Sequence, residues 1–151
     1  MATRYCEAFA YMELYSVTLQ NLLVTPDLNE IAPVHARLVC AMRYVHMARA
    51  QRSYCCRALA TQLGTSNAVR PFHVFMDEAG NAWPDPIALN RPCQMSLSYD
   101  EMLLIDLCTA AARKERKVFD ELLEDMIGVG GRNAIWSAGR RLMEHIVGIV
   151  H

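Results

Sequence analysis

Between residues 31 and 76 the chain carries Arg37, Arg43, Arg49, Arg52, Arg57 and Arg70, and not one aspartate or glutamate. Guanidinium groups in that number need carboxylates from elsewhere in the fold, an acidic partner, or phosphates. Val39, Arg43, Met47, Ala50, Tyr54 and Arg57 recur every three or four residues, which would lay apolar, aromatic and guanidinium groups along one side of a helix. Protein interfaces favour this mixture, because planar amphipathic side chains bury area while their polar ends stay satisfied. The expectation is a partner-binding face of Arg43, Met47, Arg49, Tyr54 and Arg57 that docks an acidic protein. The alternative is a nucleic-acid-binding protein, or a helical subunit of a nucleoprotein complex, in which Arg43, Arg49 and Arg57 meet phosphates. A helix packed on two sides in a bundle would show the same two stripes without any partner.

Other residue types capable of chemistry are sparse. His73 with Asp77 and Glu78 is the one compact acid/base cluster. Cys55, Cys56, His46, His73 and Cys93 supply metal-ligand types without metal-ligand spacing, since adjacent helical cysteines point about 100° apart. Neither a Gly-rich phosphate loop nor a nucleophile in a recognisable setting is present. The expectation is a small regulatory or accessory protein that is not an enzyme and uses no cofactor and no metal.

Residues 121–142 carry Gly128 and Val129 at a turn, followed by Arg132, Asn133, Ser137, Arg140 and Arg141. This segment resembles the helix-turn-helix of bacterial repressors over some twenty residues. The resemblance implies nucleic-acid binding through Arg132, Asn133, Arg140 and Arg141, with the second helix meeting phosphates and base edges. Glu124 stands where that motif takes a small residue, and Gly130 and Gly131 provide no Ser or Thr cap.

At 151 residues and 53% hydrophobic, the chain has the material for one domain, residues 1–151, with a sizeable core. Glu7 and Glu13 interrupt the opening stretch, so neither a secretory leader nor a membrane span is expected there. The six cysteines follow no disulfide framework and read as reduced, packed thiols of a cytoplasmic protein. Charge is divided unevenly. Residues 1–76 hold seven arginines against four carboxylates, and residues 77–151 hold eight basic against twelve acidic groups, so the halves could neutralise each other.

The elements that must position these residues read as an all-α, single-domain helical bundle of about five helices. Apolar spacing predicts a first helix over residues 5–23. A second, unbroken helix of roughly 45 Å is predicted from Pro33 to Leu63. Its seam of Val34, Leu38, Ala41, Val45, Ala48, Cys56, Leu59 and Leu63 contains Arg52, which would snorkel outward, meet an acid of the second half, or pair with an acid of a second copy in a homodimer. Residues 68–97 are expected to form a short β-hairpin or an extended arm, because Val69, Phe72, Val74 and Phe75 look strand-like and Pro84, Pro86 and Pro92 exclude helix. Helix returns at a capping box, Ser98 with Glu101, stapled by Leu97 and Met102. Helical segments are expected on either side of the charged run 113–117, and a last one from about Arg132.

Overall fold

The computed structural model describes the backbone of residues 25–150 and the side chains of residues 25–146. The helix expected over residues 5–23 lies outside them. Among the described residues the fold is all-α: α1 (Pro33–Gln51), α2 (Cys56–Leu63), a 3-10 turn (Ser66–Ala68), α3 (Val69–Ala82), α4 (Tyr99–Ala112), α5 (Arg116–Leu123) and α6 (Val129–Val150). None of these helices is long and apolar enough to cross a membrane.

The second predicted helix is broken in two. Pro33 starts α1 at a position where its missing N–H is no loss, and Leu38, Ala41, Met42, Val45 and Ala48 are buried along the expected seam. At Arg52 the backbone turns left-handed (φ 53°, ψ 34°), and Ser53 N–H reaches the Ala48 carbonyl at 2.8 Å while Arg52 N–H reaches Arg49 at 3.3 Å. These two bonds form a Schellman stop with arginine in the seat usually held by glycine. The break resolves the charge in the seam: an unbroken helix would direct the Arg52 guanidinium into the core, whereas the bend leaves it in solvent.

A second difference concerns residues 69–82, which form helix and not a hairpin. Phe72, Phe75 and Ala79 are buried, followed by Trp83, a spacing of three and four residues that suits a helix face. Pro71 falls in the first turn of α3, where backbone N–H groups have no intrahelical acceptor, so it does not break the helix. Of the segment 68–97 expected as hairpin or arm, only residues 83–97 run without helix, as an irregular arm with a single bridge residue. Trp83 is buried and Ile87 and Leu89 pack on the core, so the arm covers the bundle as a lid. An isolated antiparallel bridge between Asp27 and Ser96, and a 2.7 Å bond from Leu28 N–H to the Met95 carbonyl, fasten its far end.

The predicted capping box is formed: Ser98 Oγ accepts from Glu101 N–H at 3.0 Å and Glu101 Oε1 accepts from Ser98 N–H at 2.8 Å. Leu97 is buried and Met102 packs against its cluster, as the staple requires. Helix α6 begins three residues earlier than expected, at Val129, so Gly130 and Gly131 lie in its first turn. A Cβ at Gly131 would come within 2.8 Å of Ile127 Cγ2 and 3.0 Å of Ala82 Cβ, so glycine permits the close approach of α6 to the end of α3. Further along, Gly139 lies against Phe75 of α3 and Ala111 of α4, which seats α6 between those helices and antiparallel to α3.

Candidate functional site

Arg43 is not part of an accessible face. It is 1% exposed, and its Nε and Nη2 donate to Glu101 Oε2 and Oε1 at 2.7 and 2.9 Å. Nη1 also donates to the Gln94 carbonyl at 2.6 Å, and Nη2 to Ser96 at 2.9 Å. A fully buried cation survives only where its donors are met, and here one carboxylate and two carbonyls meet them. Glu101 is itself 0% exposed and accepts additionally from Asn90 N–H at 3.2 Å. The pair therefore clamps α1, the arm and the start of α4, and the expectation that Arg43 binds a partner or phosphate is corrected: a carboxylate from the acidic half answers it.

The remaining residues of the predicted face gather at the elbow between α1 and α2. Tyr44 holds the elbow down, its hydroxyl accepting from Cys55 N–H at 2.9 Å and lying 3.5 Å from the Cys55 carbonyl. Leu59 and Leu63 bury α2 against the core, and Gly64, with φ 88°, ends it. Beyond the stripe, α3 contributes His73 and Asp77, one turn apart. Arg49 Nη2 lies 3.2 Å from His73 Nδ1, Tyr54 Oη lies 2.7 Å from His73 Nε2, and Arg49 Nη1 stands 3.7 Å from Asp77 Oδ1.

Guanidinium can only donate, so His73 Nδ1 accepts and Nε2 carries the proton towards Tyr54, whose hydroxyl then points to Cys56 Sγ at 3.5 Å. Desolvation and the Arg49 charge hold the His73 imidazole below its ordinary pKa, against an opposing pull from Asp77, which agrees with this neutral tautomer. The Tyr54 phenol is pushed up to about 12 by desolvation and by its bond to Cys56. Both ring nitrogens of His73 are thus engaged by protein groups, and the cluster fixes the elbow to α3. Cys55, the N-cap of α2, is held below its ordinary pKa by backbone N–H groups of Ala58 and Arg57.

Around this rivet the surface is cationic. Arg52 and Arg57 are exposed, and their guanidinium groups make neither a hydrogen bond nor an ion pair among the described residues. Met47 is half-buried on α1. Arg49 and His46 also border a groove of about 260 Å³ whose walls include Val45, Met76, Ile87 and Leu89. This mostly apolar groove lies between α1, α3 and the arm, with Arg49 as its one arginine among the described residues. From sequence, Arg49, Tyr54 and Arg57 belong to the face of one unbroken helix, Arg52 to its seam, and His73 and Asp77 to the hairpin segment; the elbow that gathers them is not foreseen.

The cysteine reading holds in part. Cys108 is buried, with its thiol pushed up to about 12 by desolvation, whereas Cys55, Cys56 and Cys93 are exposed thiols, not packed ones. Among the described residues no group of three or more His, Cys, Asp or Glu side chains is placed to hold a metal ion.

The helix-turn-helix candidate has most of its reading residues engaged within the fold. Arg132 Nε stands 3.4 Å from Asp120 Oδ1, without the alignment of a hydrogen bond, and its Nη1 donates to the Ile127 carbonyl at 3.2 Å. Asn133 Oδ1 accepts from Arg116, whose guanidinium also covers the Trp136 ring at 5.3 Å. Arg140 donates to the Ala111 carbonyl at 2.9 Å and pairs with Glu144 at 3.8 Å. Of the four, Arg141 alone is exposed with no bond to its guanidinium among the described residues. No family model, no curated protein and no solved structure matches the chain.

Proposed function

We propose that this chain is a small cytoplasmic accessory or regulatory protein that works by binding, and that it docks an acidic protein segment at the α1–α2 elbow. The observation that carries the reading is the pair Arg52 and Arg57, in solvent at the elbow with no bond to either guanidinium among the described residues, beside Arg49, which His73 and Asp77 already hold. Cations left without a partner inside the fold are the groups a complementary surface steers towards and pairs with. The adjoining groove of Val45, Met76, Ile87 and Leu89 supplies apolar anchorage, which charge alone does not. The partner is accordingly a segment with carboxylates beside one or two apolar side chains. Exposed, unpaired Cys55, Cys56 and Cys93 suit a reducing compartment.

The test is capture from nuclease-treated cell extract by the immobilised protein. Retention of a specific acidic protein that survives the nuclease supports the reading. Retention that disappears with the nuclease, together with steeply salt-dependent binding of a generic duplex, replaces it with nucleic-acid binding.

A further inference from the structure

A second cationic site lies on a different part of the molecule, at the end of the α3–α6 pair remote from Gly131. Because these helices run antiparallel, the first turns of α3 face the C-terminal half of α6, and there they part around a cavity of about 390 Å³. Arg70 enters it from α3, and Arg141 and His145 from α6, one turn apart. Pro71, Val74 and Ala138 supply apolar wall. Neither the Arg70 nor the Arg141 guanidinium makes a hydrogen bond or ion pair among the described residues, although Glu144 lines the same cavity and is the natural candidate to neutralise them. Glu144 pairs instead with Arg140 at 3.8 Å.

We propose that this cavity binds a small phosphomonoester, with Arg70 and Arg141 clasping the phosphate oxygens, His145 as a further donor, and the apolar wall against a compact carbon skeleton. Two arginines that line one cavity from separate helices can between them meet the several oxygens of a phosphate dianion, since each guanidinium can donate two parallel bonds. The volume falls within the range of small-molecule sites. A polynucleotide is the poorer occupant: it needs a row of cations along its backbone, and here Glu144 and the engaged Arg140 flank only two free ones.

Titration with glycerol 3-phosphate, followed by amide and side-chain NMR shifts, tests the site, with glycerol and inorganic phosphate as the arms that separate skeleton from anion. The expected result is saturable binding of glycerol 3-phosphate, weaker binding of inorganic phosphate and none of glycerol, with shifts confined to the ends of α3 and α6. Arg70→Ala and Arg141→Ala should each weaken binding by about tenfold or more while leaving the unliganded thermal midpoint unchanged, since both side chains are exposed. Absence of saturation, equal response in the two variants and the parent, or tighter binding of a short duplex through the same arginines would overturn the proposal.

Discussion

Arg43 and Glu101 place a buried ion pair at the centre of the fold's stability. Each is fully buried, and removing either leaves the other as an uncompensated interior charge, at a cost of about 3–5 kcal/mol. Against a total stability of roughly 5–15 kcal/mol, such a loss leaves a marginal fold. We expect Arg43→Ala and Glu101→Ala each to lower the denaturation midpoint strongly. The double variant should lose clearly less than the two losses combined, because it leaves neither charge stranded; additive losses would show that the pair is not coupled. Two imidazoles set the acid response. His35 donates to Thr109 Oγ1 at 3.1 Å and, like His73, is held below its ordinary pKa chiefly by desolvation, with Asp106 opposing and Arg113 assisting. The unfolded chain therefore takes up these protons first as the pH falls through about 6.5, and stability decreases there. Asp106, held above its ordinary pKa by burial, acts in the opposite sense in a lower window, near the carboxylate range. Thermal midpoints should fall between pH of about 7.5 and 5.5, and the His35→Gln, His73→Gln double variant should flatten that slope. An unchanged slope would contradict the assignment.

Among the helices, the junction of α3 and α6 is where sequence choice is tightest. Gly131→Ala drives a methyl group into Ile127 and Ala82, and about 1–3 kcal/mol of destabilisation is expected. Gly130, one residue away, has open space beside it, so Gly130→Ala should stabilise by about 0.5–1 kcal/mol through helix propensity. Comparison of the two denaturation midpoints checks the register directly, and similar effects would mean the α6 contact is misplaced. The contrast between α4 and α3 shows what was legible from sequence. The α4 start is encoded within a few consecutive residues, Ser98 to Glu101 with Leu97 and Met102, so local reading finds it. Helix α3 was misread because Pro71 and the β-branched Val69 and Val74 resemble a strand, whereas burial of Phe72, Phe75 and Ala79 on one face decides the matter only once α6 is in place. The elbow had no Gly or Pro to announce it, and only the conflict of Arg52 with its apolar seam hinted at a break.

At the level of the whole molecule, the acid-free arginine segment separates into structural and free groups. Arg43 is claimed by Glu101, 58 positions along the chain, and Arg49 leans on Asp77, so the uneven charge of the two halves is partly the fold's own glue. Arg52, Arg57 and Arg70 are left in solvent without bonds to their guanidinium groups among the described residues. Sequence could name Arg49, Tyr54 and Arg57 by residue type, but their meeting depends on the break at Arg52 and on His73 of α3, which a helical stripe does not encode. It could not sort buried from free arginines, nor join Arg70 to Arg141, because those facts depend on which helices meet. Under the proposed docking, Arg52 and Arg57 at the elbow serve a partner and not the fold. The most direct measurement is the affinity of the captured acidic partner for the parent protein and for the Arg52→Gly, Arg57→Ala variant, taken with the thermal midpoint of each. Glycine suits the left-handed turn at position 52, so the variant should melt no lower than the parent. We predict binding at least about tenfold weaker at an unchanged or raised midpoint; equal affinity, or a midpoint that collapses, would contradict the account.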